Sequence, residues 1–193
     1  MRRLKTVIIA VAAGAMLTTA VRGQDTNFCP MLIMTRLEAA QTNIGKITIK
    51  ATSAVGSING RGGILTVNCK EVTDVSTGHR EYGISIAVTD GEQSGDIALI
   101  DYEELDSLVG ALDYINKVDW SVSALAGFDA FYTTKDGFRM AAFSSKRSGT
   151  IEFAVRTLRA NIRPILLARD QVAQFRSLIQ QAKSKLDSIQ PGR

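Results

Sequence analysis

The strongest constraint on the fold is an internal match between two stretches of the chain, which repeat one pattern of apolar residues 67 positions apart. The alternating residues Ile84, Ile86 and Val88 align with Ile151, Phe153 and Val155. Further along, Leu99 aligns with Leu166, and the helical run Leu105, Leu108, Leu112 and Ile115 aligns with Val172, Phe175, Ile179 and Ala182. No gap is needed. The match therefore favours a duplicated structural unit over a coincidence between two amphipathic segments of similar length.

Each copy has the pattern of four strands followed by a helix. Alternation of apolar and polar residues predicts half-buried strands at 47–51, 65–69, 84–88 and 97–100, and again at 128–132, 138–142, 151–155 and 162–167. An amphipathic helix follows each set, and a short helix over residues 28–43 precedes the first. We therefore predict an α+β fold of two ββββα units, about 44–119 and 120–190, forming antiparallel sheets with amphipathic helices packed on them.

The first 23 residues have the features of a cleavable signal peptide. Arg2, Arg3 and Lys5 precede a largely apolar stretch over 7–20, and small residues allow cleavage after Ala20 or after Gly23. The apolar stretch is short for a bilayer span, which needs about 20 residues. We expect export to the periplasm or the medium, with 24–193 as a single mature domain that has no transmembrane segment. An uncleaved anchor is the alternative.

Charge is divided between the two halves of the mature chain. Residues 24–119 hold 7 basic and 14 acidic side chains, whereas residues 120–193 hold 12 basic and 5 acidic ones. One interpretation is that the halves pack together and neutralise each other. The other is a basic surface on the second half for an anionic partner such as a polysaccharide, a lipid head group or an acidic protein. Opposite charges also suggest head-to-tail self-association.

The candidate basic surface consists of Arg139, Lys146, Arg147 and Arg156, which are interleaved with aromatic residues. Aromatic and basic side chains on one sheet face are typical of a stacking platform for bases or sugars. Alternation places Phe128, Tyr132, Phe138 and Phe153 in the core and directs Phe131 and Phe143 to the opposite face. Core packing of the whole set is the alternative.

Two cysteines remain after cleavage, Cys29 and Cys69. An exported chain enters an oxidising compartment, so a disulfide between them is one expectation and two free buried thiols are the other. Cys69 alternates with Leu65 and Val67, which places it on the apolar face of a strand.

Motifs for catalysis, metal binding or cofactors are missing from the sequence. The single histidine, His79, lies in a polar turn, which argues against a multi-histidine metal site and a serine or cysteine hydrolase. The glycine-rich run 59–63 lacks the Lys-Ser/Thr ending of a phosphate loop and is typical of a hairpin. The acids Asp101, Glu103, Glu104 and Asp106 suit the start of a helix. We expect no cofactor and no enzymatic activity, although dispersed carboxylates could still meet in space.

The order ββββα repeated twice resembles the Whirly and Pur-alpha group of single-stranded nucleic-acid-binding proteins. This resemblance covers most of the mature chain as topology, and no sequence motif of that group is carried over. It implies a nucleic-acid binder as the alternative function, although an exported protein seldom meets nucleic acid. The chain also resembles exported bacterial domain families of uncharacterised function. Our leading hypothesis is an exported, non-enzymatic binding or interaction module.

Overall fold

The computed structural model describes residues 32–42, 44–90, 95–145, 149–160 and 163–190. The predicted signal peptide and Cys29 lie outside these ranges, as do Lys146 and Arg147. Within the described ranges no helix is both long enough and apolar enough to cross a bilayer.

The elements form two antiparallel four-stranded sheets and three α-helices, which confirms the predicted α+β class. The first sheet has the order β1 (Thr48–Gly60), β2 (Gly63–Asp74), β3 (Arg80–Asp90) and β4 (Gly95–Asp101). The second has the order β5 (Asp129–Thr133), β6 (Phe138–Ser145), β7 (Thr150–Thr157) and β8 (Ile165–Leu167). The helices are α1 (Arg36–Gln41), α2 (Leu105–Lys117) and α3 (Arg169–Ile189), and short 3-10 turns span Tyr102–Glu104 and Trp120–Val122.

The predicted turns between strands depend on glycine at two positions. Gly62 in the β1–β2 turn has a φ of 97° and Gly137 in the β5–β6 turn has a φ of 82°, a region that other residues rarely adopt. These turns set the register in which Ile58 faces Leu65 and Tyr132 faces Met140. Alternate residues of each sheet therefore point into one shared core.

Each long helix covers chiefly the sheet of the other unit. Helix α3 packs against β1, β2 and β3 of the first sheet, where Leu178 lies over Gly56. Helix α2 packs against β5 and β6, where the Tyr132 hydroxyl bonds Ser107 Oγ at 3.0 Å. Both helices also contact each other. One hydrophobic cluster therefore takes side chains from both sheets and both helices, so the two units share a core.

The helical positions that match in sequence are also equivalent in burial. Leu105, Leu108, Leu112 and Ile115 of α2 are buried, and so are Val172, Phe175, Ile179 and Ala182 of α3. At the centre, the Phe175 ring lies 5.7 Å from the Phe138 ring of β6. The repeat in the sequence thus corresponds to a repeat in the core.

Ion pairs between the two halves of the chain neutralise part of their opposite charges. Among the residues that the structure describes, five ion pairs join an acid of the first half to a base of the second: Glu38–Arg159, Asp101–Lys135, Glu103–Lys135, Asp106–Lys183 and Asp113–Arg176. These contacts favour the interpretation in which the halves pack together and neutralise each other. Exposed ion pairs contribute little stability singly, so their main effect is to match the two surfaces.

Two sequence expectations at the start of the described chain are wrong. The first helix begins at Arg36, because Thr35 caps it by accepting a hydrogen bond from Glu38 N at 3.0 Å, and residues 32–35 are not helical. Strand β1 extends to Gly60, well past the predicted end at 51. Ile47, just before the strand, and Ile49 within it are 72% and 56% exposed, where a half-buried face was predicted, so the described elements leave both side chains largely uncovered.

Truncation of the central aromatic residue tests the shared core. We expect Phe175→Ala to lower the unfolding free energy by about 3–5 kcal/mol, because it removes a fully buried ring. Denaturant unfolding should still show one transition for both halves. The control Phe131→Ala removes an exposed ring and should change stability by less than about 0.5 kcal/mol. Separate transitions for the two sheets would contradict a shared core.

Candidate ligand-binding face

The outward surface of the second sheet carries the predicted basic and aromatic residues. Met140, Phe153 and Val155 point inward and are buried, so their neighbours along β5, β6 and β7 point outward. Phe131 is 60% exposed and Arg156 is exposed. We call the surface formed by Asp129, Phe131, Thr133, Arg139, Ala141, Phe143, Glu152, Ala154, Arg156 and Leu166 the outer face.

A basic row runs across three strands of the outer face. Thr133 pairs with Arg139 across β5 and β6, and Arg139 pairs with Arg156 across β6 and β7. Directly opposed residues on a sheet have Cβ atoms about 5 Å apart, so the two arginine side chains leave the sheet at adjacent positions. Arg139 Nε donates to Thr133 Oγ1 at 3.0 Å, which orients its guanidinium group.

The next row is apolar and mostly small. Phe131 pairs with Ala141, Ala141 with Ala154, and Ala154 with Leu166. The Arg139 guanidinium lies 4.6 Å from the centre of the Phe131 ring, a cation–π contact that holds the two side chains together. The two alanines between Phe131 and Leu166 leave the middle of the row without large side chains, so a ligand can approach the backbone there.

The third row is acidic and is joined by a residue from the first half. Asp129 pairs with Phe143, and Phe143 with Glu152. Arg61, in the β1–β2 turn, lies 3.8 Å from Glu152 and exchanges backbone hydrogen bonds with Leu166 of β8. No local pattern in the sequence points to Arg61 as part of the candidate surface, because only the packing of the two sheets brings its turn to β8.

The structure brings together some of the predicted site residues. Arg139 and Arg156 are neighbours on the outer face, whereas Lys146 and Arg147 lie outside the described residues. Phe131 and Phe143 are on this face as predicted. Of the four predicted core aromatics, Phe138 and Phe153 are buried, and Phe128 and Tyr132 are partly buried against the core.

A cleft of about 570 Å³ adjoins the outer face, between the β1–β2 turn and the start of α3. Its wall is held by contacts between the halves. The Gln171 side chain donates to Asn59 O at 2.8 Å, and Arg169 stacks 4.9 Å from the centre of the Phe153 ring. Arg169 also donates to the carbonyls of Asn116 and Val118. These polar groups are already used in contacts within the protein. The contacts hold the β1–β2 turn, and with it Arg61, beside the outer face.

Cys69 and His79 occupy positions without evident chemistry. Cys69 is buried beneath α3, with Sγ 3.6 Å from Ala182 O, and burial raises the pKa of its thiol. The predicted bridge to Cys29 stays a prediction. His79 lies in the β2–β3 connection, with Nε2 2.8 Å from Glu81 Oε1. In the described part of the chain, no group of three or more His, Cys, Asp or Glu side chains is arranged to hold a metal ion.

Buried acids connect the first sheet to the β5–β6 turn. The Asp101 carboxylate accepts hydrogen bonds from Arg36 N and Leu37 N at 3.0 and 3.1 Å, which fixes the start of α1. Glu104 accepts from Lys135 N at 3.0 Å, and burial raises the pKa of its carboxyl group. The acids that the sequence assigned to helix capping therefore also join the two halves.

Asp136 is the most enclosed of these acids, at 1% exposure. Its Oδ2 accepts from Leu99 N of β4 at 2.6 Å. Arg159 forms ion pairs with both Asp136 and Glu38, and its guanidinium lowers the pKa of Glu38. For Asp136, burial outweighs this guanidinium and, together with the negative charges of Glu38 and Asp96, raises the pKa to about 6.

Comparisons with known proteins identify no family. No family model matches the chain, and no curated protein matches it. Among solved structures, the chain is similar to one described as the structure of the plant transcriptional regulator PBF-2. The identity is 13%, the match covers 76% of this chain and 90% of that one, and the TM-score is 0.28. A similarity this low carries no argument about function.

The raised pKa of Asp136 predicts the direction in which the stability of the fold changes with pH. A carboxyl group whose pKa is higher in the folded state than in the unfolded state binds more protons when folded, so its contribution to stability falls as pH rises through that interval. For Asp136 the interval runs from its ordinary value of 3.8 to about 6. Asp136→Asn removes this titration but can keep an acceptor for Leu99 N. The unfolding free energy of the variant, relative to the original chain, should therefore rise between pH 4 and pH 7.

Denaturant unfolding at several pH values measures this difference. Asp170→Asn, at an exposed position in the first turn of α3, is a control that should show no such rise. A difference for Asp136→Asn that is flat or falls with pH would contradict the assignment.

Proposed function

We propose that this chain is a non-enzymatic binding protein that works outside the cytoplasm, and that the outer face of its second sheet holds an anionic ligand. The observation that carries the proposal is the adjacency of Arg139 and Arg156 beside the exposed ring of Phe131. Export rests on the sequence features of residues 1–23, which lie outside the described ranges.

The basic row of the outer face supports an anionic ligand. Other bases of the second half, such as Lys135, Arg176 and Lys183, already pair with acids of the first half. In the ranges that the structure describes, no acid lies within ion-pair distance of Arg156. Arg139, directly across the sheet from Arg156, is a second cationic group that an anion bound at Arg156 can contact. Acidic polysaccharides, lipid head groups and acidic proteins all offer that chemistry.

Single-stranded nucleic acid is a second candidate ligand, favoured by one observation. The Phe131 ring is exposed and carries Arg139 beside it, and bases stack on exposed aromatic rings next to cationic groups. This candidate requires both the ring and the arginines. A purely ionic ligand requires only the arginines.

Charge removal on the outer face tests the proposal. We expect Arg139→Gln with Arg156→Gln to weaken binding of a soluble acidic polysaccharide at low salt at least tenfold, because both cationic groups are lost. Lys50→Gln with Lys117→Gln removes the same charge from exposed positions elsewhere and should have little effect. Fluorescence anisotropy with a labelled polysaccharide measures both. Equal loss in the two double variants would point to nonspecific attraction and overturn the site.

Phe131→Ala distinguishes the two ligands. With a labelled oligothymidine as probe, binding that weakens steeply with salt and falls again in Phe131→Ala would support nucleic acid. Polysaccharide binding that is unchanged in Phe131→Ala would support the ionic ligand. If neither probe binds at low salt, the outer face does not hold an anionic polymer.

A further inference from the structure

We propose that two copies of this chain associate through β1, whose open edges pair antiparallel about a two-fold axis and join the two first sheets into one continuous sheet. This inference concerns a surface on the first sheet and goes beyond the proposed function, which uses the outer face of the second sheet.

The free edge of β1 is long. The strand has 13 residues and pairs with β2 along one side. Within the described ranges no strand pairs with its other side, and just beyond its end Arg61 forms a single bridge to Leu166. Residues 49–54 are exposed on both faces of the sheet as well as at the edge. Unpaired backbone groups along such an edge form a ready template for another strand.

The edge carries few of the features by which proteins prevent such pairing. From Ala51 to Gly60 the strand has no charged residue and no proline. Native edges are usually protected by lysine, by proline or by a bulge that twists the strand away. Here the protection is one irregularity between Ala54 and Gly56. Along the sequence, the nearest charged residues, Lys50 and Arg61, stand at the two ends of the run. From β2 and α3, the Lys70 and Lys185 ammonium groups reach the side chains of Thr52 and Ser53.

Apolar side chains at and just before the start of β1 remain exposed to solvent in a single copy of the chain. Ile47 and Ile49 alternate with polar residues as in a half-buried strand, yet they are 72% and 56% exposed. Ile44, just before the strand, is 99% exposed. A second copy paired along β1 would approach these residues and remove part of their surface from water. Apolar burial of this kind contributes about 25 cal/mol for each Å² removed from water.

The chemistry of the edge favours a second copy as the occupant. In a two-fold antiparallel pair the strand meets itself, so an uncharged run meets an uncharged run and no like charges face each other within it. Its side chains are mostly Ala, Ser, Thr and Gly, which fit against one another without a shaped pocket. The mature chain has equal numbers of acidic and basic residues, so two copies have no net repulsion to overcome.

A charge placed on the edge tests the pairing. Residues 24–193 are studied by size-exclusion chromatography with light scattering over micromolar to submillimolar concentrations. We expect a mass twice that of one chain at the upper end. Ala54→Lys adds a charge at an exposed edge position and should shift the mass to that of one chain. Ala173→Lys makes the same change at an exposed position of α3 and should remain a dimer.

Hydrogen exchange gives a second readout that does not depend on a variant. Backbone amides of β1 should become more protected as the concentration of the unmodified chain rises, whereas those of the exposed 3-10 turn at Trp120–Val122 should not. Three results would overturn the proposal: a single-chain mass at every concentration, a dimer that persists in folded Ala54→Lys, or β1 protection independent of concentration. A single-chain mass at every concentration would mean that the β1 edge does not bind a second copy.

Discussion

The burial of each long helix against the sheet of the opposite unit is the interaction on which the rest of the structure depends. Helix α3 closes the first sheet and α2 closes the second, while the Phe138–Phe175 contact joins the two at the centre. Neither unit holds its complete core within its own sequence. The position of the outer face follows from this arrangement, because the inner side of the same strands is fixed by the shared core.

Electrostatics reinforce the same arrangement. Acids of the first half meet bases of the second at α1, at the β5–β6 turn and between the long helices. Asp136 is the costly member of this set, since burial opposes its ionised form more than Arg159 supports it. Such a group is tolerated because it satisfies Leu99 N at the edge of β4, where no further strand pairs among the described residues. On the outer face, by contrast, Arg156 is exposed to solvent, and Arg139 is held against Phe131 and Thr133.

Much of the fold could be predicted from the sequence, and the failures have physical causes. Spacing of 67 residues identified the repeat, and alternation correctly directed Phe131 and Phe143 away from the core. Periodicity cannot say which sheet a helix covers, so the exchange of helices was not foreseen. It also cannot tell a covered strand from an uncovered one, which is why Ile47 and Ile49 were expected to be half-buried. Arg61 joins the site through tertiary packing alone, which leaves no local signal.

The rows of the outer face run across the strands, and this direction has a consequence for the shape of what can bind there. Neighbouring strands lie about 4.8 Å apart, so the low apolar row from Phe131 to Leu166 spans about 14 Å. Arg139 and Arg156 border that row on one side only. A ligand that uses both features must lie perpendicular to the strands and present its anionic groups along a single edge. That footprint suits two or three units of a polymer, with the rest of the chain passing beyond the sheet.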